Sequence, residues 1–371
     1  MEYDSDNREG EKKNGIPEAP KVLKQRTAGG IGPAEETASS SPHKIPSYSH
    51  LKSLVQNFSG TKTWWELYGI DLAVIAGTSL VLPPFGFLLM SSSNVVLFSM
   101  GFLTLAYLHY FYSSKCAHMA AHGGLGKSKF INRCLGKLFS EVCGGFTFEG
   151  AEDMHIKVHH PYTNIIGLGD SSTWRAPNLD RVSYFFLAPL FLPLVSPFFS
   201  VKLLWGRWKS ILLFLPNVAF GMVTHFILLR NISGFSVVGA LLCMFATRGL
   251  FSTVYVHLNI FQHIGLAFYT LERRPDRLLQ IATGVLNMQK NIFLDSCFGH
   301  SITTCHVEHH LFPRLTDNMC LAIKPLVSEY FKVHNLPYNE DSYTNRLKMF
   351  YDRYTELMVH APPITDFVGI Q

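Results

Sequence analysis

The 371-residue chain is 47% hydrophobic and only 16% charged, with 29 Phe and 15 Tyr. Soluble domains carry about a quarter charged residues, so this balance excludes an ordinary soluble domain and points to a membrane. The net charge of +5 suits a protein facing an anionic cytoplasmic leaflet. With no basic face interleaved with aromatics, it is too small to argue for nucleic acid.

Residues 1–50 are rich in Gly, Pro, Ser, Glu and Lys and lack apolar periodicity, which predicts a disordered cytosolic N-terminus ahead of a membrane domain over 51–371. Aromatic density rises at Thr63-Trp64-Trp65-Glu66-Leu67-Tyr68, as at a membrane interface. Apolar runs at about 72–90 and 95–113 each approach the ~20 residues that cross a bilayer, with Pro83-Pro84 expected to kink the first. Their link, Ser91-Ser92-Ser93-Asn94, carries no Lys or Arg, so the runs form a hairpin turned on the non-cytoplasmic side. The next stretch holds Lys115, Lys127, Lys129, Arg133 and Lys137, which places it in the cytosol. Residues 183–205 are apolar but interrupted by Pro189, Pro193 and Pro197, and are assigned to a re-entrant or interfacial segment. Further spans are expected at about 211–229 and 234–256. Residues 314–371 read as a soluble cover on the cytosolic face. The seven Cys make neither a CxxC nor a zinc spacing and read as reduced thiols, Cys305 as a buried packing residue.

Chemistry concentrates in the histidines. His118 and His122 stand four apart directly after the second span. His155 and His159 repeat that spacing and His160 comes immediately after. His306, His309 and His310 fall within five residues, and a helix places His306 and His309 on one face. Eight imidazoles exceed what one octahedral ion accepts with a position left open, so they suit two metals, each adjacent pair giving one ring to each ion. Thiolates are absent and carboxylates few, which favours iron over copper or structural zinc. Two crossings between the second and third clusters keep all three on one side, whereas three would not. The expected fold is therefore an all-α integral membrane protein: four transmembrane helices in two hairpins, under a cytosolic helical cap carrying a histidine-rich di-metal site.

His118-x3-His122, His155-x3-His159-His160 and His306-x2-His309-His310 resemble the three histidine boxes of the membrane fatty acid desaturases. The phrases His160-Pro-Tyr-Thr-Asn164 and His309-His310-Leu-Phe-Pro313 are similar to that family as well, and the match covers roughly residues 65–320. The tail phrase Leu336-Pro-Tyr-Asn-Glu-Asp341 resembles one branch of it. The resemblance implies an endoplasmic reticulum enzyme, multi-pass with both termini cytosolic. Such an enzyme uses two Fe2+ ions, O2 and two electrons to take two hydrogens from a fatty acyl chain, as acyl-CoA or acyl lipid. It also implies cytochrome b5 and its reductase as electron donors. Many front-end members carry a fused b5 domain and Gln at the first position of the third box. His306 and the lack of such a domain depart from that pattern.

The family further implies a ligand after the fourth span. His263, in Phe261-Gln-His-Ile264, is placed first, with His257 as its substitute and His300 near the metals or bound through water. Asn164, Asp170 and Trp174 are candidates to hydrogen-bond ligand rings, as are Glu149, Glu152 and Asp153. His109 and His225, inside expected spans, read as packed core residues. A fatty acyl hydroxylase shares this scaffold. A zinc-dependent membrane lipid hydrolase would need about three protein ligands per ion, fewer than the chain offers, and a non-catalytic lipid-binding protein would not need every box intact.

Overall fold

The computed structural model describes residues 47–169 and 178–359. The expectations for residues 1–46, Asp170 and Trp174 lie outside the described residues. Helix α1 (Tyr48–Gly60) begins within the tail expected to be unstructured, because the Ser47 hydroxyl accepts the Ser49 N–H and caps it. Leu51 and Val55 then pack into the cluster that holds Val327 and Phe331.

Helices α2 (Ile70–Leu89) and α3 (Val95–Tyr110) form the first hairpin. Asn94 caps α3 by accepting the Val96 and Leu97 N–H groups. α2 runs through Pro83-Pro84 to its end. Gly101 permits close approach, since a Cβ there would sit 2.7 Å from the Gly86 carbonyl oxygen. Wide π-type turns at Phe111–Cys116 carry α3 into α4 (Ala117–Ala121). After α5 (Lys129–Lys137), another π-type segment spans Leu138–Gly144. Next come α6 (Phe148–Ala151) and a third π-type stretch, Glu152–His159.

Residues 183–191 wind irregularly into α7 (Leu192–Leu203). Helix α8 (Trp208–Asn231) precedes α9 (Val237–Gly249) and α10 (Ser252–Phe261), which run almost continuously. Among the described residues five stretches are long and apolar enough to cross a membrane: Trp65–Leu89, Val95–Ala121, Ser183–Leu203, Trp208–Asn231 and Val237–Phe261. The chain is a multi-pass membrane protein, and the stretch near 183–205 qualifies by length and hydropathy despite its prolines. Outward-facing Leu80, Leu212 and Phe220 are exposed, as lipid-facing side chains must be.

After the last apolar stretch come α11 (Arg277–Gly284), β1 (Leu286–Met288), α12 (Ile292–Phe298), α13 (His306–Leu311), α14 (Asp317–Val333), β2 (Asn339–Asp341) and α15 (Tyr343–Asp352). The parallel pair β1–β2 departs from the all-α expectation. Three residues per strand leave too short a pattern to read from sequence.

The α8 contact with the Leu138–Gly144 segment depends on Gly221, where a Cβ would fall 1.8 Å from the Val142 carbonyl oxygen. Backbone on both sides leaves nothing to yield, so Gly221→Ala should cost roughly 1–3 kcal/mol or more. Thermal unfolding in detergent should show a lowered midpoint for that variant. Gly77→Ala, with nothing near its added Cβ, should unfold no earlier than the parent. Equal midpoints for Gly221→Ala and the parent would reject the close approach.

Candidate metal centre

Nine of the histidines named from sequence converge in two groups. His118, His122, His155, His160 and His309 form one, and His159, His263, His306 and His310 the other; within each, one nitrogen per ring lies within 4.8 Å of all the others. Each adjacent pair is divided between the groups. The π-type geometry of Glu152–His159 contributes to this. The His160 N–H donates to the His155 carbonyl five residues back, so a wider turn presents 155 and 160 together. An α-helical i,i+4 reading alone would have paired 155 with 159.

Hydrogen bonds on the outer side of four rings, His306, His263, His310 and His118, fix what those rings turn inward. His306 Nδ1 donates to the Ser301 carbonyl oxygen at 2.9 Å, and His263 Nδ1 to that of Gly284 at 3.3 Å. A carbonyl can only accept, so in each neutral ring Nε2 carries a lone pair. Those two Nε2 atoms lie 2.9 Å apart. Thr163 donates its hydroxyl hydrogen to the backbone of His159 or His160 and accepts from His310 Nδ1 at 3.1 Å. That turns the His310 lone pair toward His306 Nε2, 3.2 Å away. In the other group Ser301 Oγ donates to Asp317 and faces His118 Nδ1 at 3.4 Å. His118 Nε2 is then 2.9 Å from His155 Nε2.

Facing lone pairs at such distances repel unless a cation lies among them. A proton is a poor candidate, because burial lowers the pKa of His155, His159, His160, His263, His309 and His310 well below the ordinary imidazole value. Burial takes His306 down to about 4. Ions bonded to nitrogen at ~2.1 Å space their ligands by about 3 Å, which these separations match. His122 Nε2, buried with no hydrogen-bond partner among the described residues, completes a donor set able to hold metal.

The supports were mostly invisible in the sequence. Ser301 serves both groups, through its carbonyl and its hydroxyl. Asp317, 1% exposed, accepts from the Ser301 N–H and hydroxyl, from the His300 N–H and from Lys115 at 3.2 Å. Burial would raise this carboxyl, yet Lys115, His300 and those N–H groups hold it at about 2. Arg277 donates to the carbonyls of His160 and His310, both at 2.6 Å, and so ties the second box to the third. Glu308, fully buried, accepts from Asn287 at 3.0 Å and Tyr338 at 2.6 Å. Burial pushes its carboxyl up.

Other candidates fall elsewhere. Asn164, at φ +54°, donates to the carbonyls of His263 and Gly284, behind the His263 ring. His257 is occupied by the Phe185 carbonyl and the Tyr343 hydroxyl, away from the box histidines. His300 contributes backbone, and its ring stands 3.9 Å from Asp295. Glu149, Glu152 and Asp153 pair with Arg133, Lys157 and Arg207 instead of with histidine rings. Nearby cations claim them. A cavity of about 80 Å³ opens against His118, His155, His159, His263 and His306, with Phe146, Phe148 and Ile302 on its apolar side.

A family model described as fatty acid desaturase matches residues 92–342. The chain is 47% identical over 322 residues to human "Fatty acid desaturase 6", covering 86% of this chain and 90% of the relative. It is 46% identical to the Bos taurus protein of that name, covering 86% and 94% respectively. A "Delta(5) fatty acid desaturase fat-4" of Caenorhabditis elegans is 26% identical, over 61% of this chain and 56% of the relative.

Removing Asp317 would strand the buried Lys115 ammonium, so Asp317→Ala should destabilise by roughly 3–5 kcal/mol. Adding Lys115→Met to that variant should recover part of the loss, although alone it destabilises. Unfolding midpoints of the four proteins form a double-mutant cycle, and strictly additive costs would rule out the coupled pair.

Proposed function

The chain belongs to the fatty acid desaturase family and is a fatty acid desaturase, and we propose that it works as a di-iron enzyme on a membrane-inserted acyl chain, with O2 and electrons from cytochrome b5 and its reductase. One observation carries the metal reading: buried neutral imidazoles whose Nε2 lone pairs face one another at 2.9–3.2 Å. His118, His122, His155, His160 and His309 would hold one ion, and His159, His263, His306 and His310 the other. An all-nitrogen set without thiolate favours iron over copper or structural zinc. The electron donors and the acyl substrate rest on family membership.

Bound there, two irons supply an O2-derived oxidant able to break an unactivated C–H bond. The chain's own residues do the rest. Ser301, Thr163 and the Gly284 carbonyl hold ring protons at Nδ1 and keep Nε2 free to bind. Arg277 fixes the second box against the third, which together supply rings to both groups. Phe146, Phe148 and Ile302 line an apolar chamber that keeps water from the reacting carbons and leaves a slender alkyl segment beside the histidines.

The same reading gives four crossings. Convergence of all boxes requires an even number of crossings between the second and third. Three qualifying stretches lie there, so one stops short of the far face. Ser183–Leu203 is that one, its irregular turns coming at Pro189 and Pro193. Exposed Trp64, Trp65, Trp205 and Trp208 then mark one interface, the cytosolic side in the endoplasmic reticulum.

Purified protein should contain two irons per chain by elemental analysis. His309→Ala and His306→Ala should each lower that content, and both should abolish new double bonds when expressed in a host lacking its own desaturation. One zinc per chain, or products that gain oxygen without losing hydrogen, would reject this reading in favour of a hydrolase or a hydroxylase respectively.

A further inference from the structure

Arg248 sits in α9, inside an apolar stretch, and is only 5% exposed. No carboxylate among the described residues pairs with it. A terminal nitrogen of its guanidinium donates to the Cys143 carbonyl at 3.3 Å, and its Nε has no partner among the described residues. His225, on α8, likewise leaves a buried Nε2 without a partner there. Both side chains line a cavity of about 190 Å³ whose other walls include Phe87, Leu108, Phe220 and Leu228. This cavity shares no lining residue with the chamber at the histidines. His109 lies between it and a small intermediate pocket.

A guanidinium at membrane depth costs several kcal/mol unless an anion or dipole meets it. One helix-terminal carbonyl is a partial answer, with the buried Arg248 Nε–H and His225 Nε2 still without partners among the described residues. Exposed Phe220 forms part of the wall, so the cavity borders the lipid-facing surface of α8. Anions that reach such a place carry hydrocarbon with them. We propose that the cavity binds a single-chain anionic amphiphile, its carboxylate or phosphate head on Arg248 and His225 and its acyl chain along Phe87, Leu108 and Leu228. It is a lipid site separate from the metal chamber, and desaturation is not needed for it.

The test uses the full-length protein in a non-ionic detergent with photo-crosslinkable C18 probes: a fatty acid, a lysophosphatidate and the matching neutral alcohol. Peptide mapping reads the sites of attachment. The acid, the lysophosphatidate or both should label peptides from α2 and α8 that line the cavity, and which one labels identifies the source of the head group. The alcohol should label at least about tenfold less, the scale of one charged hydrogen bond. Arg248→Gln should cut labelling by a similar factor. Leu228→Phe, which fills the cavity and leaves the guanidinium in place, should also cut it, so the outcome does not hang on one variant's folding. Equal labelling by acid and alcohol, labelling confined to peptides around the histidines, or a signal indifferent to both substitutions would overturn the proposal.

Discussion

The structure depends on one electrostatic constraint: neutral rings must be held with their lone pairs facing one another inside a water-poor interior. Nothing about that arrangement is self-supporting. In the second group the outward nitrogens of His306, His263 and His310 each meet an acceptor, and for His306 and His263 that acceptor is a backbone carbonyl. Carbonyls are fixed by the fold, so the tautomers of these two rings are decided by chain path. His118 and His310 rely on hydroxyls whose own hydrogens are already committed, to Asp317 and to the backbone of the second box. The buried charge pair Lys115–Asp317 therefore acts at one remove, by telling Ser301 which way to donate.

Helical geometry meets the same constraint by local widening. The π-type stretches at Phe111–Cys116 and Glu152–His159 lie immediately before the first box and through the second. An extra residue in a turn rotates the downstream side chains by about a quarter turn or more. Such turns give weaker helical bonding, and helices keep them where a side chain must be re-aimed. Glu152–His159 is that case, since His155 and His160 join one group while His159 joins the other.

The sequence announced the parts that recur locally. Box spacings, apolar run lengths and the loop between the first two spans are short-range patterns, and they located the eight box histidines that the fold brings together; the ninth, His263, came from the family resemblance. It was silent wherever the partner lies far along the chain. Thr163 meets His310 and Arg277 meets the His160 carbonyl across separations of 147 and 117 residues, and both are ordinary residue types with no motif around them. Proximity in sequence also misled: Asp153 and Glu149 stand near the second box yet turn to Arg207 and Arg133. His257, the sequence's substitute for His263, is occupied by Tyr343 and the Phe185 carbonyl. The β1–β2 pair was missed because three-residue strands carry no usable period.

Span length explains why the groups sit where they do. α3 starts at the Asn94 cap and α9 at the Ser236 cap, each just after a short connection. Counting from Val95 to His118 at helical rise gives about 35 Å, and from Val237 to His263 about 40 Å. A hydrocarbon core is roughly 30 Å thick, and both counts come out a little longer than that. Two independent segments thus act as rulers of nearly equal length, and the cap needs only to close over their ends. Arg277 and the Asn287–Glu308–Tyr338 contacts perform that closure from behind the third box.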